Sequence, residues 1–407
     1  MLSGESILCF APDPWEDIWR NRHQIMSLLA EANQVLYVEP RYYLRSVVRG
    51  LVRGEIPLAR LRASRLSMVK PGLHVFHQPL YAPLSGRAPL STLTNAMRIA
   101  SLRRAMSCLK MSRPILWLFR PEMADVPGHY GERALVYHIV DEYSGYGDID
   151  PARAQDMQRR ERQLIARADL VLVTSKALLE SKGGINPNTH WVPNGVDYER
   201  FTAAVAARRE PQEVVGLPRP RIGYVGAVND KIDAPLLLEV ARAYPQATVL
   251  VVGPCRASNE ATREGLERLR SQPNVHLVGQ VPVERVPEFV SACDVGLLPY
   301  VRNAWTRSIQ PLKLYEYLAC GLPVVSIDIP AVQDESDVVL VAQDSPSFVA
   351  LVGEALATDS EALRAARQAR ASRNTWRERV ERISELLEAT LISARSNAPY
   401  PARSTAP

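Results

Sequence analysis

Cysteine is scarce. The five present (Cys9, Cys108, Cys255, Cys293 and Cys320) are odd in number, widely spaced and never paired as CxxC. That excludes a disulfide framework and a cysteine zinc cluster, and makes a reducing cytoplasm the simplest home. No apolar run approaches the roughly 18 residues needed to span a bilayer. The opening MLSGESILCFAPDPWED lacks a basic n-region and turns acidic, so a signal peptide is not expected. The dinucleotide fingerprint GxGxxG is missing, and GYVGAV at 223–228 offers only two glycines after a strand. No carboxylate pair stands at a strand end; Asp148 and Asp150 of DID fall in a polar loop, where turn chemistry explains them. Neither a metal nor a cofactor is therefore expected. Acidic residues vanish altogether from Ile56 through Pro121.

That last gap creates a strong charge asymmetry. Between Arg41 and Arg120 fifteen Lys or Arg residues meet only Glu55, a net +14 in a chain of net +5. A sustained one-sign segment builds a local field and points to an anionic partner. No nucleic-acid module accompanies it, so nucleic acid is not expected. An anionic membrane surface or a lipid-linked pyrophosphate fits better. Arg45, Arg49 and Arg53 lie in YYLRSVVRGLVRGEIPLARLRASRLSMV, interleaved with Leu, Val and Tyr as an interfacial segment requires.

What is present is ordinary for a globular protein: 407 residues, 46% hydrophobic and 23% charged. That length suits two domains of roughly 200 residues. Apolar runs SILCF, QVLYVE, LHVF, ILWLF, LVYHIV, LVLVTS and THWVP alternate with helical patterns, the signature of βαβ units on a parallel sheet. The Ala-, Arg- and Pro-rich stretch 202–220 reads as a linker. RIGYVG, ATVLVVG, VHLVG, DVGLLPY, PVVSI and VVLVA then begin a second doubly wound domain. The expected domains are 1–201 and 221–375, with 396–407 a disordered tail.

The densest information lies in 295–328, VGLLPYVRNAWTRSIQPLKLYEYLACGLPVVSID, which reads as strand, loop, short helix, strand. In the helix Leu312, Tyr315 and Ala319 share one face, while Lys313, Glu316 and Cys320 share another. A loop feeding a helix N-terminus in such a sheet is a phosphate site, because free N–H groups point at the ligand. Glu316, about one and a half turns in, comes within reach of a hydroxyl beyond those phosphates.

The pattern PLKLYEYLACGLPVV resembles the donor-site helix of GT-B glycosyltransferases, nearest to glycosyltransferase family 4 and its branch for bacterial surface polysaccharides and exopolysaccharides, including teichuronic acid enzymes. The resemblance recurs in VTSKALLESKGG…THWVPNGVDYERF, RIGYVGAVNDKIDAPLLLEVA, VHLVGQVPVERVPEFVSACDVGLLPY, PDPWEDIWRNRHQIMSLLAEANQVLYVEP and LVYHIVDEYSGY. It implies two Rossmann-like domains facing across a cleft, with 376–395 crossing back to complete the first. It also implies metal-independent transfer from a uridine- or guanosine-diphosphate sugar to a lipid-linked saccharide, with retention of anomeric configuration. Such an enzyme would be peripheral at the cytoplasmic face of the membrane.

The resemblance assigns roles to positions. Glu316 would bind the ribose hydroxyls and Lys231 the diphosphate, with backbone N–H groups around Ser308–Leu312 as a second source of positive potential. Gly226, Leu312 and Lys313 join the donor side, and Gln280 and Val281 would read the base. Asp141 would accept the acceptor's proton or orient the sugar. Arg22, His23 and His138 are expected on the acceptor side. Two departures stand out. The family's first glutamate is Ser308 here, and its usual arginine after the strand glycine is Ala227. These keep open a non-catalytic nucleotide-sugar-binding or scaffold protein. An epimerase of the same fold would not need the basic segment.

Overall fold

The computed structural model describes residues 1–54, 56, 65–84, 89–143 and 150–396; Glu55, Asp148 and the expected tail beyond 396 lie outside the described residues. The N-terminal sheet is built from β1 Ser6–Phe10, β2 Gln34–Val38, β3 Leu66–Lys70, β4 Leu73–Phe76, β5 Ile115–Leu118, β6 Ala134–Ile139, β7 Leu170–Val173 and β8 Thr189–Trp191. Its order is β3-β4-β2-β1-β5-β6-β7-β8. Every pair is parallel except β3–β4. The second sheet comprises β9 Arg221–Val225, β10 Thr248–Val252, β11 Val275–Gly279, β12 Val295–Leu298, β13 Val324–Ile327 and β14 Leu340–Ala342. It is parallel throughout, in the order β11-β10-β9-β12-β13-β14.

Alternation along the strands builds two cores on the first sheet. Ile7 and Cys9 of β1 enter one cluster with Val35, Tyr37 and Trp117, whereas Leu8 and Phe10 enter the other with Leu36, Leu116 and Leu118. Both faces are covered, which is why these strands read as continuous apolar runs. Helix Trp376–Ser396 supplies Trp376, Val380, Ile383 and Leu387 to the first of these clusters, so the end of the described chain packs on the N-terminal sheet.

The stretch 202–220 is not the free linker its composition suggests. Asp197 caps helix Tyr198–Ala207 by accepting the Arg200 N–H. Phe201 and Val214 are buried in the core of the second sheet, with Val205 packed against it. Beyond them Arg221 is buried and held by Glu210 and by the carbonyls of Val214 and Leu217. A Phe–Val pair at helical spacing outweighs the Ala/Arg bias. Edge strand β3 also escapes the sequence pattern, because its residues are mostly exposed and do not alternate. Among the described residues no helix is long and apolar enough to cross a membrane.

Candidate active site

The carboxyl ends of the two sheets face one another across a cleft of about 930 Å³. That is the size of a ligand pocket, about 300–1,000 Å³, placed where open α/β sheets bind ligands. From the first sheet come the loop Trp15–Arg22, Val140, Asp141 and Asn194. From the second come Gly226, Lys231, Gly253, Gln280, Val281 and the segment Ile309–Lys313 with Glu316.

Glycine sets the floor. β9 and β10 end at Gly226 and Gly253, with φ of +149° and +137°. A Cβ on Gly253 would run into the Gly226 carbonyl, and one on Gly226 would occupy the place of the Lys313 Cε. Just before this turn the Val225 N–H donates to the Tyr317 hydroxyl at 2.9 Å, tying the strand end to the helix beyond it.

Two cations enter from different elements. The Val301 N–H donates to the Lys231 carbonyl at 3.0 Å and the Asp233 N–H to that of Pro299 at 2.8 Å, so the Lys231 loop is held against the end of β12. Its Nζ lies 5.4 Å from the Trp305 ring centroid. Helix Leu312–Ala319 follows Pro311, and the Lys313 Nζ lies 5.1 Å from the Tyr224 ring centroid. Neither ammonium nor the Glu316 carboxylate has an ion-pair partner among the described residues.

Burial dominates the electrostatics. It lowers the pKa of Lys231, with Asp141 across the cleft opposing the shift. Burial and then the neighbouring Lys231 charge push Lys313 down to about 7, while Glu316 opposes. Burial likewise pushes Glu316 up to about 7, against the pull of Lys313. Three groups held away from their ordinary states in one cleft are what a site awaiting a polar ligand presents.

Of the residues expected from sequence, Arg22, Asp141, Gly226, Lys231, Gln280, Val281, Leu312, Lys313 and Glu316 line the cleft. Arg22 is 4% exposed, bound to Asp13 and stacked 5.7 Å from the Phe119 centroid. Three residues do not reach the site. Ser308 closes the one-turn helix Ala304–Arg307; it is buried, with its N–H spent on the Trp305 carbonyl. Its backbone therefore offers no donor to a phosphate, and Pro311 has none to offer. His23 is buried among Trp15, Trp19 and Tyr37, accepts the Arg20 N–H at Nδ1, and is pushed down to about 4 by burial and Arg22. His138 lies within β6, three residues before Asp141, which follows the strand end. It packs 5.1 Å from the Phe119 ring and is pushed down to about 3 by burial. Both imidazoles are neutral core residues rather than acceptor-side groups.

Two cleft residues escaped the sequence reading. Asn194, in VPNGVD after β8, is buried; its amide donates to the Gln310 carbonyl at 2.7 Å across the domains, while its own side-chain oxygen has no hydrogen-bond partner among the described residues. Arg20 lines the loop opposite the lysines and adds to the charge felt by both. The motif flanking Asn194 was a usable signal; for Arg20 there was only its closeness to Arg22. Arg45, Arg49 and Arg53 lie outside the cleft, exposed on and just after helix Leu44–Val52. Leu44, Val48 and Val52 form an exposed stripe beside them, with Val52 82% exposed.

Two Rossmann-like domains, parallel sheets facing across a cleft and a returning final helix define the GT-B fold of glycosyltransferases. Residues 219–359 match the family described as Glycosyl transferases group 1. The chain is 28% identical over 262 residues to TuaH of Bacillus subtilis (strain 168), whose name assigns it to teichuronic acid biosynthesis as a glycosyltransferase; the match covers 62% of this chain and 63% of that protein's length. Among solved structures, sucrose-phosphate synthase of Thermosynechococcus elongatus superposes with a TM-score of 0.70 at 16% identity, over 96% of this chain and 100% of that one. HepE of Anabaena, solved with UDP, gives a TM-score of 0.64 at 15% identity over 94% and 100%.

Proposed function

We propose that this protein transfers a glycosyl unit from a nucleoside diphosphate sugar to a lipid-linked saccharide acceptor of a bacterial surface polysaccharide, at the cytoplasmic face of the membrane. The observation that carries the reading is one cleft holding Lys231, Lys313 and Glu316 at the glycine-lined ends of β9 and β10. The UDP named with the Anabaena structure and the teichuronic acid named with the Bacillus relative support the donor and the product class.

In this reading Glu316 accepts hydrogen bonds from the ribose hydroxyls, and Gln280 and Val281 lie against the base. As the acceptor oxygen bonds to the anomeric carbon, the bond to the diphosphate breaks and its electron pair stays on the leaving oxygen. Lys231 and the free N–H groups at the start of helix Leu312–Ala319 stabilise that charge. No metal is assigned a role. Configuration is retained, so acceptor and leaving oxygen share one face and the acceptor proton passes to the leaving phosphate. Asp141 then orients the transferred sugar. Arg22, fixed by Asp13, faces the acceptor. The exposed Leu44–Val48–Val52 stripe and Arg45, Arg49 and Arg53 hold the enzyme at an anionic bilayer.

The test is thermal stability of the purified protein against uridine, guanosine and adenosine diphosphates and their sugars. A ligand that binds only the folded state adds about 2.7 kcal/mol at a hundredfold excess over its dissociation constant. One base family raising the midpoint is the expected result. No shift with any of them would favour the scaffold reading, to which the Ser308 substitution already belongs.

A further inference from the structure

Of the residues after β9 that line the cleft, Gly226, Ala227, Asn229 and Lys231, a single one carries positive charge. A leaving diphosphate would then face Lys231 alone on that side. We propose that Lys313 joins it, its ammonium seated against Gly226 as the second cation on the donor's diphosphate. This rests on the donor-site reading above.

Three observations converge. The Lys313 side chain occupies the space that any side chain at 226 would need, so this glycine turn and this lysine are fitted to each other. Among the described residues its ammonium pairs with no carboxylate and lies 5.1 Å from the Tyr224 ring centroid, which leaves its hydrogen-bonding capacity for a ligand in the cleft. Lys231 and Lys313 also approach the same floor from two elements, the loop after β9 and the helix after β12, near enough for the Lys231 charge to hold the Lys313 ammonium below its ordinary pKa. Two unpaired cations side by side are costly in an empty cleft and favourable around a dianion. The fit extends to chain order: Lys313 is the second residue of its helix, where N–H groups already point at the ligand.

A proton is linked to the binding. Lys231, Glu316, Arg20 and the Tyr224 ring face the Lys313 ammonium. Of the charged groups, Lys231 and Arg20 disfavour its protonation and Glu316 favours it. A diphosphate adds negative charge beside it, so Nζ takes up a proton from solvent as the donor enters.

Lys313→Met decides the matter. UDP and GDP, with uridine and guanosine as uncharged controls, are titrated into both proteins by calorimetry at pH 8, in Tris and in phosphate buffer. The expected result is a roughly 10- to 100-fold loss of affinity for the nucleoside diphosphate, the span of one charge-assisted contact, with the nucleoside unaffected. Proton uptake, read from the difference between buffers, is expected in the unmodified protein and absent in the variant. Lys313→Met that binds the diphosphate as tightly as the unmodified protein overturns the assignment while leaving the donor site standing. If the variant loses the nucleoside too, proton uptake by the unmodified protein decides, and its absence overturns the proposal. Unmodified protein that binds neither diphosphate overturns the donor site itself.

Discussion

Lys313 and Glu316 are neighbours on one helix whose charges are both held back by burial, and their titration gives the cleft a pH signature. In the proposed donor site, protonation of Glu316 below neutrality would remove a carboxylate acceptor for the ribose hydroxyls, and deprotonation of Lys313 above it would remove a cation from the diphosphate. A lysine whose free-state pKa is lowered is repopulated with protons by an anionic ligand, so affinity falls as pH rises through that value. The expected outcome is a bell-shaped dependence of donor affinity with its maximum near pH 7, each limb falling by at most about tenfold per pH unit. Lys313→Arg, which stays charged, should flatten the alkaline limb, and Glu316→Gln the acid limb. Dissociation constants measured from pH 5.5 to 9 check this. At this scale the structure brings Glu316 and Lys231, the two positions singled out by the family resemblance, to one cleft. His23 and His138 were misplaced because one sequence cannot tell an imidazole turned into an aromatic core from one turned outward. The seat of Lys313 on Gly226 joins residues of β9 and a distant helix, a contact no local pattern encodes.

Among the elements, helix Leu44–Val52 leaves an apolar stripe in water. Val47 and Gly50 bury one side of it; Leu44, Val48 and Val52 are exposed beside Arg45, Arg49 and Arg53. An exposed apolar stripe costs stability in water, and the proposed membrane surface would bury it. Val48→Glu with Val52→Glu should abolish co-sedimentation with phosphatidylglycerol vesicles while leaving the melting temperature within a few degrees, because neither side chain is buried. Substituting the three arginines by Gln should weaken binding and remove its salt dependence. Unchanged sedimentation in both variants would move the membrane surface elsewhere. Composition revealed this segment through its missing carboxylates. It could not show that the helix Tyr198–Ala207 runs on into 202–220, since a single Phe201–Val205 pair beside an Ala-rich run decides that packing.

For the whole molecule, the fold was largely legible because strands buried on both faces announce themselves as apolar runs, and because the two sets were separated by one change of composition. What sequence could not supply is how the halves meet. Asn194 donating to the Gln310 carbonyl at 2.7 Å, Lys176 paired with Asp334 at 2.7 Å and Arg256 with Asp17 at 3.2 Å are contacts between residues more than a hundred positions apart. They bring Asp141 and Arg22 opposite Lys231, Lys313 and Glu316, so that side chains of both domains line one cleft. The central claim is that this cleft binds a nucleoside diphosphate sugar through Glu316 and the lysines. The most direct measurement is calorimetric titration of the unmodified protein and of Glu316→Ala with UDP- and GDP-sugars at pH 7. The account predicts saturable binding of one of them and a loss of roughly 10- to 100-fold in the variant, the effect of removing a charged hydrogen-bond acceptor. Equal affinity in the two proteins, or no binding in either, would contradict it.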